Sequence, residues 1–304
     1  MRRQLIIGLA GAVLAAAILA VVVLREGRQA EQAEDPGAVL VGAGDIAGCE
    51  TTDDELTAEL LDEIEGTVFT LGDNAYTSGT AAEFSRCYEP TWGRHRERTR
   101  PIPGNHDYWT PDAAGYFDYF GERAGDPDEG FYVYSVGGWR VYALNSNCEE
   151  IGGCDAGSPQ YEWLASELRS DEAECSVAYW HQPIVTAAET PGIDDVVPLF
   201  ELLYDAGTEV LLNASSHSYE RFAPLAPDRS IDLDRGIRVF VVGTGGAALR
   251  PLGPPLPATQ AADDSTHGVL KLSLHDGSYD WSFVPADGVF RDNGTGTCRL
   301  AADS

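Results

Sequence analysis

Strands and helices alternate along most of this chain, and each of the first two predicted strands is followed by an aspartate. The predicted strand Ala38–Ala43 leads into Asp45, and the predicted strand Val68–Leu71 leads into Asp73. The two aspartates are 28 residues apart, close to the roughly 30 residues of one strand–helix–strand unit. Since parallel strands end at the same edge of a sheet, this pattern predicts an α/β domain that binds its ligand at that edge.

Later strands are followed by further polar residues of the kinds that bind metal ions. These residues are Asn105, His181, Asn213 and His217. Carboxylate oxygens combined with imidazole nitrogens suit iron, manganese or zinc better than calcium or magnesium. An aspartate that bridges two such ions would hold them about 3.5–4 Å apart, which is the spacing in two-metal hydrolases. The sequence therefore predicts a metal centre at the edge of the sheet.

Four short blocks resemble, in order and in joint spacing, the motifs of the calcineurin-like metallophosphoesterases. The blocks are Gly44-Asp45, Gly72-Asp73-Asn74-Ala75-Tyr76, Gly104-Asn105-His106-Asp107 and Ala178-Tyr179-Trp180-His181. The tyrosine that ends the second block resembles the purple acid phosphatase branch of that family. The resemblance covers residues 38–285 and implies two packed mixed β-sheets flanked by helices, a metallophosphoesterase-like sandwich.

The resemblance also implies a role for each matching position. The expected ligands of the first metal are Asp45, Asp73, Tyr76 and His217. A second metal is expected to share Asp73 and to be completed by Asn105 and His181. His106 is expected to donate a proton to the leaving group or to stabilise the transition state, with Asp107 orienting its ring. The implied cofactors are two divalent or trivalent metal ions, which would be iron, manganese or zinc.

The last motif departs from the family pattern. The family carries Gly-His-x-His, whereas this chain reads Ala214-Ser215-Ser216-His217. His217 keeps the second histidine, but Ser215 stands where the family has a histidine that binds the second metal. Loss of even an indirect partner of a metal ligand typically costs about 10–100-fold in metal affinity or activity. Ser215 is therefore a degraded metal position, and we expect a complete first site and a weakened or empty second site.

The function implied by the resemblance is hydrolysis of phosphate monoesters by a metal-bound hydroxide at a dinuclear centre. The expected partner is a small phosphorylated substrate, and the enzyme would be an acid phosphatase-like hydrolase. One alternative is a catalytically impaired surface protein that binds a single metal or phosphate, and another is a purely structural surface domain. Retention of His106 favours the enzyme, because a binding module needs no leaving-group acid, whereas Ser215 favours the impaired protein.

The charge of the chain excludes one class of partner. With 49 acidic and 20 basic residues the formal net charge is −29, and the isoelectric point is about 4.3. Each phosphate contact in a nucleic-acid complex requires a lysine or arginine, so we expect no nucleic-acid partner. The one basic run, Arg94–Arg100, could attract an anionic substrate but fits a solvated helix face better. The sequence leaves the oligomeric state open.

An apolar run near the N-terminus predicts export. Residues 5–24 are unbroken apolar sequence that follows Arg2 and Arg3, and 20 such residues are enough to cross a bilayer as a helix. We expect an uncleaved membrane anchor, with a cleaved signal peptide and a buried helix as alternatives. Residues 1–36 would then form the anchor or signal segment plus an acidic linker, and residues 37–304 the catalytic domain. That domain would lie outside the membrane, or be secreted if the segment is cleaved.

The six cysteines agree with an extracellular location. Their number is even and no C-x-x-C motif is present, which is typical of disulfide-bonded exported proteins. Six cysteines allow 15 pairings, and the sequence does not choose among them. Cys148 and Cys154 enclose a plausible short loop, and we expect Cys49–Cys87 and Cys175–Cys298 for the others. Metal binding by cysteine is the alternative.

Overall fold

The computed structural model describes residues 38–189, 192–286 and 288–299. The expected membrane segment, residues 5–24, lies outside these ranges, so both the anchor and the division at residues 36 and 37 stay predictions. Within the described ranges, none of the helices combines the length and the apolar character that crossing a bilayer requires.

Two large mixed sheets form the body of the described chain, as expected from the sequence. The first sheet has the spatial order β15 (Asn293–Thr297), β14 (Ser278–Pro285), β13 (Gly268–His275), β1 (Ala38–Ala43), β3 (Thr67–Leu71) and β5 (Thr99–Ile102). The second has the order β12 (Thr259–Asp263), β10 (Tyr219–Phe222), β11 (Arg238–Val242), β9 (Val210–Asn213), β8 (Ser176–Tyr179), β7 (Trp139–Ala143) and β6 (Tyr132–Val136). In the first sheet the parallel strands β1, β3 and β5 lie at one edge, and antiparallel strands continue the sheet from β1. In the second sheet a parallel centre of β11, β9, β8 and β7 is extended on both sides by antiparallel strands.

The central strands are apolar on both faces because both faces are covered. Leu40 and Val41 are neighbours in β1, so their side chains point to opposite faces of the sheet, yet both are fully buried. All four residues of β9 are buried in the same way. Strands covered on both sides read as continuous hydrophobic runs, and this explains why the central strands could be found from the sequence.

Five α-helices are present in the described chain, together with several short π and 3₁₀ turns. The α-helices are α1 (Asp53–Glu63), α2 (Ala81–Glu83), α3 (Ala114–Phe120), α4 (Pro159–Ser170) and α5 (Val197–Ala206). The short turns are the π turn Phe84–Tyr88 and the 3₁₀ turns Trp92–Arg98, Asp107–Trp109, Pro111–Ala113 and Gly121–Ala124. Helix α4 begins after Ser158, whose side chain accepts a hydrogen bond from the backbone N–H of Tyr161.

The two sheets meet where their strands end. The backbone N–H of Gly44, after β1, donates to the carbonyl of Val242 in β11, with 2.9 Å between the two atoms. A two-stranded ladder of β2 (Ala47–Gly48) and β4 (Ala75–Tyr76) lies beside this junction. The polar residues that follow the strands are therefore brought to one place from both sheets.

Three disulfides pair all six cysteines, as expected. The pairs are Cys49–Cys87, Cys148–Cys154 and Cys175–Cys298. No cysteine is free, so the alternative that cysteines bind metal is wrong. Disulfides of this number are typical of secreted and extracellular proteins.

The basic run Arg94–Arg100 packs against α1. Arg94 forms ion pairs with Glu55 and Asp62, each with an N–O distance of 2.9 Å. Arg98 donates to the backbone carbonyls of Leu61, Ile64 and Gly66, at the end of α1 and just after it. The run was expected to be a solvated helix face, and Arg94 and Arg100 are exposed, but His95 is buried and Arg94 and Arg98 bind α1.

Glu209, just before β9, gives the fold a pH-dependent contribution. Its carboxylate accepts hydrogen bonds from the backbone N–H groups of Ser176 and Arg299, and burial raises its pKa to about 7. Between pH 4.5 and 7 the folded chain therefore binds more protons at Glu209 than the unfolded chain does. The contribution of this residue to stability is present below pH 4.5 and is lost as the pH rises to 7.

We expect Glu209→Gln to remove the part of the pH dependence of stability that comes from Glu209, because glutamine does not titrate. Across the window from pH 4.5 to 7, the stability of the wild type relative to the variant should fall by at most about 3 kcal/mol. Urea unfolding at several pH values measures the difference, and Glu201→Gln on the exposed side of α5 is the matched control. Parallel pH profiles for the wild type and Glu209→Gln would contradict the assignment.

Candidate metal centre

Two aspartates enter the site on tight turns after β1 and β3. Asp45 and Asp73 have positive φ angles of 57° and 52°, an uncommon conformation for a residue other than glycine. The turns pack too closely for side chains at two glycines. A Cβ atom on Gly72 would lie 2.7 Å from Nδ1 of His181, and one on Gly104 would lie 2.1 Å from Oδ1 of Asp73. The glycines of these motifs therefore bring the functional side chains within contact of one another.

The four residues expected to bind the first metal lie together. The hydroxyl oxygen of Tyr76 is 2.8 Å from Oδ1 of Asp45, 3.0 Å from Oδ2 of Asp73 and 3.1 Å from Nε2 of His217. Burial and the two carboxylates raise the pKa of Tyr76 well above its ordinary value. A phenolate at this position therefore needs a compensating cation, which a bound metal would supply.

The residues expected to bind the second metal lie on the other side of Asp73. Nε2 of His181 is 3.4 Å from Oδ1 of Asp73 and 3.2 Å from Oδ1 of Asn105. Ligand atoms of Asp45, Asp73 and His181 all fall within 4.8 Å of one another. Since Oδ2 of Asp73 faces Tyr76 and Oδ1 faces His181, this one carboxylate contacts both groups.

Backbone carbonyls fix the tautomer of both histidines that are expected to bind metal, His181 and His217. Nδ1 of His181 lies 2.6 Å from the carbonyl oxygen of Leu71, and Nδ1 of His217 lies 2.9 Å from that of Ala248. A carbonyl oxygen can only accept, so Nδ1 carries the proton and the neutral ring presents the lone pair of Nε2 to the site. This backbone support of the ring is typical of histidines that bind metals.

The charges of the site fit a cation. Asp45 and Asp73 are almost completely buried, and among the described residues no arginine or lysine pairs with either carboxylate. Although burial opposes it, the imidazoles of His181 and His106 hold the pKa of Asp73 at about 2. Burial likewise works against the charge on His181, but Asp73 raises its pKa to about 9. A metal ion would take the place of the proton on Nε2 and balance the carboxylates.

His106 stands at the mouth of the site, with its ring held by a carbonyl and a tryptophan. Its Nδ1 donates to the carbonyl of Thr77 at 2.7 Å, and its ring centroid lies 4.0 Å from that of Trp109. Nε2 faces inward, 3.9 Å from Oδ2 of Asp73. Trp109 is 58 % exposed, which is unusual for so large an apolar side chain. The backbone carbonyl of Thr77 could not be anticipated from the sequence.

The expectation that Asp107 orients the ring of His106 is wrong. Oδ2 of Asp107 accepts hydrogen bonds from the backbone N–H of Gly104 at 2.8 Å and from the side chain of Asn74 at 3.0 Å. Adjacent residues on this turn point in different directions, so the carboxylate joins the second and third motifs instead. Burial and the charge of Asp73 raise the pKa of Asp107 to about 7.

Ser215 contributes its backbone to the first metal site. Its N–H donates to Oδ2 of Asp45 at 2.8 Å, and its φ angle of 67° is again positive. Ser215 lines a cavity of about 330 Å³, and Gln182, the residue after His181, lines the same cavity. The degraded position therefore borders open space, and its role at the second metal site stays a prediction.

Comparisons with known proteins agree with this geometry. The model of the calcineurin-like phosphoesterase family matches residues 35–219. Purple acid phosphatase 15 of Arabidopsis thaliana is 25% identical over an alignment 296 residues long, which covers 83% of this chain and 52% of that protein. The chain thus spans about half the length of this relative.

Solved structures share the fold. A purple acid phosphatase from yellow lupin, PPD1, superposes with a TM-score of 0.68 at 18% identity, over 86% of this chain and 53% of the lupin chain. GAP50, described as the anchor in the inner membrane complex of Plasmodium, gives a TM-score of 0.64 at 13% identity, over 88% of this chain and 90% of GAP50. With the family match over residues 35–219, the chain belongs to the calcineurin-like phosphoesterase family.

Proposed function

We propose that this chain hydrolyses phosphate monoesters at a dinuclear metal centre. The observation that carries the proposal is the position of Asp73, whose two carboxylate oxygens face two separate groups of ligands. Tyr76 and His217 would hold one ion with Asp45, and Asn105 with His181 would hold the other. When bound, two such ions supply an activated water and positive charge for the transferred phosphoryl group.

The protein's own residues would position and protonate the substrate. His106 lies beside the metal ligands with Nδ1 fixed on Thr77, which leaves Nε2 to carry a proton and to give it to the leaving-group oxygen. The buried carboxylate of Asp107 keeps the turn that carries His106 in place through Gly104 and Asn74.

A direct assay tests this function. The purified full-length chain, stripped of metal and reloaded with manganese, iron or zinc, should release phosphate from phenyl phosphate between pH 5 and 8. Addition of a chelator should stop the release, and restored metal should return it. No release with any of the three metals would count against phosphomonoester hydrolysis.

A second candidate is a catalytically impaired protein that binds one metal or phosphate. Ser215 favours it, because a neutral hydroxyl replaces an imidazole at the expected second site. A structural neighbour also carries the description of an anchor. A single metal per chain without turnover would support this candidate.

We expect Ser215→His to strengthen the second metal site by about 10–100-fold in affinity. The positive φ angle at this position is tolerated by histidine better than by most residues, so the backbone should accept the change. Metal binding by calorimetry and phosphate release measure the effect, with Ser215→Ala as the matched control that adds no ligand. Equal second-site affinity in Ser215→His and Ser215→Ala would show that position 215 does not face a metal.

The three disulfides support an exported location for this activity. We propose that the catalytic domain works outside the cell membrane. Its attachment through residues 5–24 rests on the sequence alone.

A further inference from the structure

We propose that the cavity beside Ser215 binds the alcohol part of the phosphomonoester and that Arg250 selects alcohols carrying a second anionic group. This inference rests on the proposed function and adds a substrate class to it. The second anionic group would be a carboxylate or a second phosphate, since a guanidinium binds both.

The cavity is lined by residues that contact or follow expected metal ligands. Ser215, on its wall, donates its backbone N–H to Asp45, and Gln182 follows the expected metal ligand His181. Its volume of about 330 Å³ is at the lower end of the range for pockets that hold small organic molecules. A substrate whose phosphate lies at the metals therefore has room for a small organic group here.

The wall of the cavity combines apolar and polar side chains. Pro183, Ala188, Ile193 and Pro251 supply apolar surface, which suits the carbon skeleton of an alcohol. A small side chain at position 215 leaves this part of the cavity open, whereas the histidine of the family would fill part of it. Serine in place of histidine at position 215 therefore removes a metal ligand and at the same time enlarges the cavity.

Arg250 is the positively charged residue of this wall. Among the described residues, no acidic side chain forms an ion pair or hydrogen bond with its guanidinium, and the carboxylate of Glu189 on the same wall does not pair with it. Other arginines of this acidic chain, such as Arg94 and Arg221, are paired with aspartates. The donors of Arg250 are therefore available to an anionic ligand.

The backbone places Arg250 with respect to the metal site. Its N–H donates to the carbonyl oxygen of His217 at 3.0 Å, and the carbonyl of Ala248, two residues earlier, accepts from Nδ1 of His217. The segment that carries Arg250 is thus tied at two points to an expected metal ligand. An anion on Arg250 and a phosphate at the metals would be held at a fixed separation.

Matched substrates test the selection. The probes are 4-carboxyphenyl phosphate and its neutral analogue 4-carbamoylphenyl phosphate, with 1,4-phenylene bisphosphate as the second anionic source. We expect the wild type to prefer each anionic probe over the neutral one by about fivefold in kcat/KM. Whichever anionic probe gives the larger ratio identifies the natural source of the charge.

The variants assign the preference to Arg250. Arg250→Gln should reduce the ratio to about one, Arg250→Lys should keep part of it, and Ser215→His should lower it by filling part of the cavity. Arg169→Gln is the control, because Arg169 is an exposed arginine of α4 outside the cavity. A wild-type ratio near one, or an unchanged ratio in Arg250→Gln, would overturn the proposal.

A binding measurement separates this inference from the proposed function. Calorimetry with 4-carboxybenzylphosphonate and 4-carbamoylbenzylphosphonate, which are not hydrolysed, measures the affinity of the site for each probe in the absence of turnover. Tighter binding of the carboxylate probe that is lost in Arg250→Gln supports the inference, even in a protein without phosphatase activity. Turnover of phenyl phosphate with equal binding of both probes would support the enzyme and refute the role of Arg250.

Discussion

Asp73→Asn is expected to lower turnover by several orders of magnitude and to reduce metal binding at both sites. One oxygen of Asp73 faces Tyr76 and the other faces His181, so a single neutral amide would weaken two metal positions together. Loss of a partner typically costs about 10–100-fold per site, which gives an expected fall of about 10²–10⁴-fold in activity.

The control for this variant removes the same charge elsewhere. Asp276 is exposed in the turn between β13 and β14, and Asp276→Asn should leave both activity and metal content unchanged. Metal content by atomic emission, phosphate release and circular dichroism would be measured on both variants. A folded Asp73→Asn protein that retains two metals would show that Asp73 does not bridge them.

His106→Gln is expected to lower kcat by about 10²–10⁴-fold for substrates with poor leaving groups. Nε2 of His106 would protonate the departing oxygen, and an alkyl phosphate depends on that proton far more than 4-nitrophenyl phosphate does. The fall should therefore be much smaller for the nitrophenyl ester. Metal content should stay at the wild-type value, since His106 is not an expected ligand.

The comparison between the two esters distinguishes general-acid catalysis from simple loss of structure. His275→Gln is the matched control, because His275 pairs with Asp280 on the surface at the end of β13. An equal fall in kcat for both esters in His106→Gln would refute the role of a leaving-group acid.

The buried parts of the fold could be predicted from the sequence because their patterns are local. Strands such as β1 and β9 are covered on both faces and read as apolar runs. The antiparallel strands β12 and β15 could not be found in this way. β15 (Asn293–Thr297) contains no large apolar residue, and it is a strand because it pairs with β14 at the edge of the sheet.

In the site, too, the residues that belong to local motifs could be predicted from the sequence, whereas the contacts that depend on the tertiary fold could not. The motifs placed Asp45, Asp73 and His181 correctly at strand ends, and the structure brings them together. They did not show that the carbonyls of Thr77 and Ala248 orient two histidines, because every residue has a carbonyl and only the fold selects one. Arg250 also lies far from the motifs in sequence.

The expected pairing of the cysteines was confirmed, although spacing alone does not select one pairing among many. Cys49 and Cys87 are 38 residues apart and Cys175 and Cys298 are 123 apart, yet their Cα atoms lie 5.0 and 5.5 Å apart in the fold. Cys49 follows β2 and Cys87 lies in the π turn that contacts it, whereas Cys175 precedes β8 of one large sheet and Cys298 follows β15 of the other. Tertiary packing and not the local sequence brings each pair together.

A joint titration of metal binding and turnover tests the dinuclear centre most directly. Metal-free full-length protein would be titrated with manganese while bound metal and phosphate release are followed in the same samples. The account predicts one tightly bound equivalent with little activity, then a second, weaker equivalent whose binding brings turnover. Full activity at one equivalent, or activity in the absence of metal, would contradict it.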